Sequence, residues 1–392
     1  MKHDEQIYDF IKKTYLKYLG RDPDKTGLNI YFSKIKNKTM HPNDLKNIIK
    51  QSKEYADKIK EQELSEIISL DTDTFLNEDS YELPHNLENE SKTFVSCYHS
   101  KNDYGGVYTV TDKKLEPIFE GTGCFGMHFD KNHEILFFII RNEPQLIAYK
   151  IKDNKFFRME IVFSNYLFAK QAHGIVIFKN KIFTIATDGI KNDSEKAINS
   201  DVPWKGVGKI MVSDLDFFED KIVIKNTKYY NPFSCNHHHH INDITVHENS
   251  LYLLSHSYCD ENKIYIKKGA LSKLEPDTFH ANVLLDKFQH PHSLFSYGNR
   301  LFLCSSTIAG VLSVLLPNKI KLEYKGIDVY ARGLTITQNH IFIGNSFGIG
   351  RTNSKFKTSL CGLLKFNRKN GSAIFYDLPS GCDNVYSITN ST

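Results

Sequence analysis

A chain whose apolar spacing changes from a helical period to a two-residue period near residue 92, and which then repeats one strand-turn-strand unit, is predicted to be a six-bladed β-propeller behind a small all-α domain. A third observation supports this class. The last run, Asn384-Val-Tyr-Ser-Ile388, has the pattern of the innermost strand of such a unit with nothing after it, whereas the first run, from Phe94, lacks one. The C-terminal strand is therefore expected to complete the first blade, closing the ring and covering both sheet edges.

Residues 1–70 carry the helical spacing: Ile7, Phe10, Ile11, Tyr15 and Leu19, then Leu28, Phe32 and Ile35, then Leu45, Ile48 and Ile49, then Leu64, Ile67 and Ile68. Breaks fall at Gly20-Arg-Asp-Pro23 and His41-Pro-Asn-Asp44, where Pro and Asp/Asn are expected to make the turn and the next N-cap. Three or four helices follow from this. The run Tyr15-Leu-Lys-Tyr-Leu-Gly-Arg-Asp-Pro-Asp-Lys-Thr-Gly27-Leu-Asn-Ile-Tyr31, with Ile48-Ile-Lys-Gln-Ser-Lys-Glu-Tyr55, resembles the DUF4214 module, Tyr31-Phe32 standing where that family has Tyr-Trp. The resemblance implies an accessory module of surface-layer and glycan-modifying proteins with no catalysis of its own.

Residues 71–91 are acidic and without apolar pattern, which predicts a linker. From 92 to 392 short β runs alternate with Gly, Asn, Asp and Lys turns. Within them a unit recurs: an anchor, a small residue, an alternating strand, a turn Asn seven residues after the anchor, and a second strand. The anchors are His173, Asn242, His292 and Arg332, with turn residues Asn180, Asn249, Asn299 and Asn339; a fifth copy starts at Gly126. Repeats of roughly 40–50 residues over about 300 leave room for six blades. Inner strands are expected near 126–131, 173–178, 242–247, 292–297, 332–337 and 384–389.

Composition removes several function classes. The net charge is only +4, which gives no concentrated basic face for nucleic acid. The amino terminus has no apolar signal segment and no run is long enough to span a membrane, so a cytoplasmic location is expected. The seven cysteines form no C-x-x-C pair and fall mostly in apolar runs, which predicts reduced core residues. G-x-S-x-G, P-loop and dinucleotide-binding patterns are absent. The surplus to explain is 17 histidines.

His240-Ile-Asn-Asp-Ile-Thr-Val246, Pro291-His-Ser-Leu-Phe295 and Tyr330-Ala-Arg-Gly-Leu-Thr-Ile336 resemble strand motifs of the DUF4915 family of propeller-like proteins, over about residues 170–390. The Asn242-Asp-Ile strand is also similar, more distantly, to the SMP-30/gluconolactonase propellers, whose equivalent Asn binds a divalent metal. The acidic ligands of those enzymes have no counterpart here.

In a propeller the inner-strand starts converge on one channel mouth, which makes neighbours of His173, Asn242, His292, Arg332 and the Asp383/Asn384 pair. His173, His240, Asn242 and His292 are the candidate ligands for a divalent metal, Zn, Mn or Fe. Asp243 is expected to orient an imidazole, Arg332 to grip a carboxylate or phosphate, and Tyr330 or Tyr386 to donate a proton. Asp383, Tyr386 and Arg351, the last in a loop with Lys355 and Lys357, are candidate substrate contacts. The expected substrate is anionic or sugar-like, acted on by hydrolysis, elimination or isomerisation in glycan metabolism. The competing readings are structural histidines, an Arg332–Asp383 brace, and a non-catalytic glycan- or protein-binding scaffold accessory to glycan assembly.

Overall fold

A computed structural model of the chain describes residues 2–55, 57–58, 92–99, 102–112, 114–141, 145–163, 172–186, 209–233, 240–260, 262–288, 290–306, 310–316, 319–325, 330–346 and 361–391. The acidic segment 71–91 and Arg351 lie outside them. Two compact units divide the chain, Met1–Ser69 and Leu70–Thr392.

In the first unit α1 (Lys2–Leu19), α2 (Lys25–Lys36) and α3 (Pro42–Lys50) pack through Ile7, Ile11, Tyr15, Ile35, Leu45 and Ile49. Gly20, at φ 73°, ends α1 in the left-handed region that an L side chain resists. Asp24 caps α2 by accepting the Gly27 amide at 2.8 Å. At the second break the cap is His41 rather than Asn43 or Asp44: its Nδ1 accepts the Asn43 amide, and the Asp44 carboxylate accepts the amide of His41. Arg21 donates to both carboxylate oxygens of Glu54, at 2.5 and 2.7 Å, so the two halves of the sequence motif meet in space.

The second unit is a six-bladed propeller. Blade 1 holds β1 (Thr93–Tyr98), β2 (Gly105–Val110) and β3 (Leu115–Glu120); blade 2 holds β4 (Cys124–Asp130), β5 (Ile135–Ile140), β6 (Leu146–Lys152) and β7 (Lys155–Arg158). After β8 (Glu160–Phe163) come β9 (Ala172–Phe178), β10 (Lys181–Ala186), β11 (Lys209–Phe217) and β12 (Lys221–Tyr230), which form blade 3. β8 joins the outer edge of that blade, parallel to β12, making it five-stranded where each other blade has four strands among the described residues. Blade 4 starts with β13 (Ile241–His247) and β14 (Ser250–Ser255). A short hairpin of β15 (Tyr258–Cys259) and β16 (Tyr265–Ile266) precedes its outer strands, β17 (Gly269–Leu274) and β18 (Ala281–Phe288). Blade 5 contains β19 (Pro291–Tyr297), β20 (Arg300–Ser305), β21 (Gly310–Leu315) and β22 (Lys319–Lys325). Blade 6 contains β23 (Tyr330–Ile336), β24 (His340–Ser346), β25 (Gly362–Asn367) and β26 (Ala373–Asp377).

The last strand, β27 (Asn384–Asn390), pairs antiparallel with β1 as the innermost strand of blade 1. Each expected inner strand is present and starts at, or one to two residues before, its expected position. Two of the turn asparagines show why Asn recurs there. Lys179-Asn180 and Glu248-Asn249 all have φ between 46° and 56°, the tight hairpin turn that Asn tolerates. The core lies between blades: Phe94, Cys124 and Phe138 pack between blades 1 and 2, and Val95, Phe342 and Val385 between blades 6 and 1. Burial of these faces is the main force holding the ring.

Cysteine usage differs from the sequence expectation at one place. Cys97, Cys124, Cys304 and Cys382 are reduced thiols, but Cys259 is disulfide-bonded. No helix among the described residues is long and apolar enough to cross a membrane.

Candidate functional site

All six inner strands slip register near their starts. The shift falls between Cys124 and Met127 in β4, opposite Thr184–Ala186 in β9, between Ile241 and Asp243 in β13, between His292 and Phe295 in β19, between Ala331 and Leu334 in β23, and opposite Ser96–Cys97 in β27. A bulge re-aims the side chains beside it. Ser293 (φ 54°) and Gly333 (φ 81°) take up two of these bulges in the left-handed region.

One residue per blade then stands at the channel mouth: Phe125, His173, Asn242, His292, Arg332 and Tyr386. All but Phe125 line a cavity of about 430 Å³, and Phe125 stacks on His173 at 5.4 Å and against Tyr386 at 4.4 Å. The structure thus brings His173, Asn242, His292 and Arg332 together, with the candidate substrate contact Tyr386 beside them, and replaces two of the expected anchors. Phe125, not Gly126, is the anchor of blade 2, and Tyr386 supplants the Asp383/Asn384 pair in blade 1. Asp383 lies in the turn before β27, where its amide donates to the Tyr98 carbonyl at 3.1 Å and its carboxylate accepts the Asn384 side-chain amide. His99 lies near it, at 3.9 Å. The Arg332–Asp383 brace of the competing structural reading does not form, and Asp383 does not line the cavity.

In blades 2 to 6 the residue after the anchor serves the blade interfaces. A Cβ on Gly126 would come within 2.4 Å of the His173 carbonyl oxygen, and one on Gly174 within 2.8 Å of the Asp243 carboxylate. Asp243 accepts the Leu294 amide of the next blade at 2.8 Å and its neighbour Ile244 at 2.9 Å. Ser293 accepts the Gly333 amide of the following blade at 2.7 Å. Asp243 thus joins blade 4 to blade 5 instead of orienting an imidazole. Burial pushes its carboxyl up to about 7, against the two amides and the charge of Arg332, which favour the ionised form.

The imidazoles are held neutral and in defined orientations. His292 Nδ1 lies 2.9 Å from the His290 carbonyl oxygen and 2.9 Å from Ser306 Oγ, whose own proton goes to the Ala331 carbonyl at 2.7 Å. Both partners can only accept from it, so the ring proton sits on Nδ1 and Nε2 keeps its lone pair. Burial first, and the charge of Arg332 second, hold His292 well below the usual histidine range. His173 is depressed by burial, then by His240 and Arg332, and its Nδ1 is bonded to the Tyr386 hydroxyl. Burial pushes the Tyr386 phenol far up, so it stays protonated and donates to that nitrogen.

Arg332, half-buried, lays its guanidinium carbon 3.8 Å from the centre of the Tyr386 ring. Among the described residues no carboxylate lies within ion-pair distance of it. Tyr330 meets His292 edge-on at 5.4 Å, and His240 meets His173 edge-on at 5.2 Å; both flank the mouth rather than line the cavity.

The expected metal site was His173, His240, Asn242 and His292, and the donors present do not fit one. No group of three or more His, Cys, Asp or Glu side chains is placed to hold an ion among the described residues. Asn242 commits its amide nitrogen to the Pro291 carbonyl, so its buried Oδ1 is the only atom it can offer, and that alone does not make a donor set. A cation at the mouth would also share it with the charge of Arg332, which opposes added positive charge.

Sequence reasoning missed Phe125, Tyr98 and Arg141. Tyr98, Phe125 and Tyr386 form one buried aromatic cluster, and Arg141 lies 4.5 Å over the Tyr98 ring while pairing with Asp103 at 2.5 Å. The available signal was the isolated Arg directly after the apolar run Ile135–Ile140.

Comparison with known proteins places the fold. Residues 2–59 match DUF4214, a domain of unknown function. No curated protein matches the chain. Among solved structures, a chain of the nidogen/laminin complex is similar at 9% identity and a TM-score of 0.50, over 77% of this chain and 99% of that one. The periplasmic gluconolactonase of Pseudomonas aeruginosa is similar at 11% identity and a TM-score of 0.42, over 74% and 83%. Regucalcin, a calcium-binding protein of Agrobacterium tumefaciens, follows at 12% and 0.40, over 66% and 75%. At such identities the likeness is one of fold.

Proposed function

We propose that the propeller binds a small anionic, sugar-like molecule at its channel mouth and acts on it by proton transfer. The observation that carries this reading is Arg332: a cation in a channel wall, backed by an aromatic ring, with no carboxylate partner among the described residues. A forked guanidinium in that setting suits a carboxylate or phosphate. His292 supplies the second element, an imidazole whose Nε2 lone pair is fixed by the bonds at Nδ1. A bound anion offsets the charge of Arg332, one of the forces depressing His292, and so raises its basicity when substrate is present. Cation and base together suit proton abstraction beside a carboxylate, the step that elimination and isomerisation of sugar acids require. Tyr330, against the His292 ring, is the candidate proton donor.

One observation favours a second reading, a non-catalytic glycan-binding propeller: Asp243, a carboxylate that borders the cavity, is tied up by the Ile244 and Leu294 amides at the blade interface. Calorimetric titration with glucuronate and with glucose 6-phosphate, followed by proton exchange of the bound acid in heavy water, separates the two. Binding should weaken about tenfold or more in Arg332→Gln, and exchange at the carbon beside the carboxylate should vanish in His292→Gln while binding persists. Binding without exchange in the unmodified protein supports the second reading. Affinity unchanged in Arg332→Gln sinks both.

A further inference from the structure

Away from the channel, the closure of the ring carries a pair of thiols. Cys97 lies in β1, and Cys382 lies two residues before β27, the strand that pairs with it. Their Sγ atoms are 3.0 Å apart although the residues are 285 positions apart in sequence. That is about 1 Å beyond a sulfur-sulfur bond of roughly 2.05 Å. The backbone there is already held, since the Asp383 amide donates to the Tyr98 carbonyl at 3.1 Å. Cys97 is buried and Cys382 half-buried, so one thiol is reachable from solvent and the other sits behind it.

We infer that Cys97 and Cys382 form a reversible disulfide that staples the first strand of the propeller to the approach of its last. The oxidant class is a small-molecule disulfide such as oxidised glutathione. Cys382, as thiolate, attacks one sulfur of the oxidant, forming a mixed disulfide and expelling one thiolate. Cys97 then gives up its proton and attacks Cys382 Sγ, breaking the mixed disulfide and releasing the second small thiol. Two protein thiols are oxidised, one small disulfide is reduced to two thiols, and the protons pass to the leaving thiolates. The two partners suit these roles: the bond from Cys97 holds the Cys382 thiol below the usual range despite partial burial, whereas burial holds Cys97 well above it. Such a bond restrains the unfolded chain through a very long loop, the case in which a cross-link constrains most in the chain-entropy account.

The test uses the full chain, reduced and then exposed to oxidised glutathione, with free thiols blocked before non-reducing peptide mapping. The expected product is a peptide linking Cys97 to Cys382, lighter by two hydrogens and free of glutathione. Its formation should raise the Tm by on the order of 5 °C. Cys382→Ser, a substitution at a half-buried position, should fold and show no such rise, which separates this bond from the one at Cys259. Glutathione retained on Cys382 with Cys97 still a thiol overturns the inference. So does a Cys97–Cys382 link that forms without changing the Tm, which would be a bond but not a staple.

Discussion

Two adjacent positions on five of the six inner strands carry different duties. The anchor residues are large and chemically varied, and they turn toward the channel: Phe125, His173, Asn242, His292, Arg332 and Tyr386. The residues immediately after them are small or hydrogen-bonding and turn toward the next blade: Gly126, Gly174, Asp243, Ser293 and Gly333. The first position faces the channel mouth, whereas the second, which at Gly126, Asp243 and Ser293 also borders the cavity, is obliged to fit a neighbouring blade. Variety among these side chains therefore reads as chemistry at the first position and as packing at the second. Asp243 shows the rule overriding residue type, because a carboxylate beside the mouth is used to join blades.

The strongest challenge to this division is Gly126→Val. Its side chain would meet the backbone of His173, which cannot step aside, and the expected loss is about 3 kcal/mol, read by urea unfolding. Asp243→Ala comes next, because it leaves the buried Leu294 amide without its partner, at about 2 kcal/mol. The milder Asp243→Asn tests the titration. In the folded protein burial raises this carboxyl to about 7, well above the ordinary aspartate range, so the folded state binds the extra proton. Its contribution to stability is complete below about pH 4 and is lost as the pH rises through about 7. The difference in stability between wild type and Asp243→Asn should change across that window, and a constant difference would show that the carboxyl is not so shifted. Tyr386→Phe removes the hydroxyl bonded to His173 and should cost about 1 kcal/mol. Arg332→Gln should shift stability least, within about 0.5 kcal/mol, while removing anion binding. A large stability loss there would place Arg332 with the packing residues and break the comparison.

The ring itself was legible because a two-residue apolar period and a recurrent turn Asn report backbone geometry directly. His173, Asn242, His292 and Arg332 were legible for the same reason, each standing seven residues before its turn. Phe125 was hidden by its chemistry, since an aromatic residue in an apolar strand looks like core, whereas Tyr386 was legible as a proton donor and substrate contact but not as the blade 1 anchor. Phe125 nonetheless stands seven residues before Asn132, in phase with the other anchors; the extra residue follows that Asn, and a copy begun at Gly126 is one place late. The role of Asp243 was hidden because its partner, Leu294, belongs to another blade. The same holds for Cys97 and Cys382, whose proximity exists only once the ring has closed. What a residue does across an interface leaves no periodic trace in the chain.

The fifth strand of blade 3 has a mechanical consequence. β7 pairs within blade 2, and β8, beginning at Glu160, runs along the edge of β12 with Ile161 opposite Ile222 and Val162 opposite Val223. One continuous segment, 155–163, is thus sewn to two blades at once. Peeling the outer edge of either blade pulls on the other, so these two sectors are coupled as a single load-bearing unit in a wheel whose described edges are elsewhere separate.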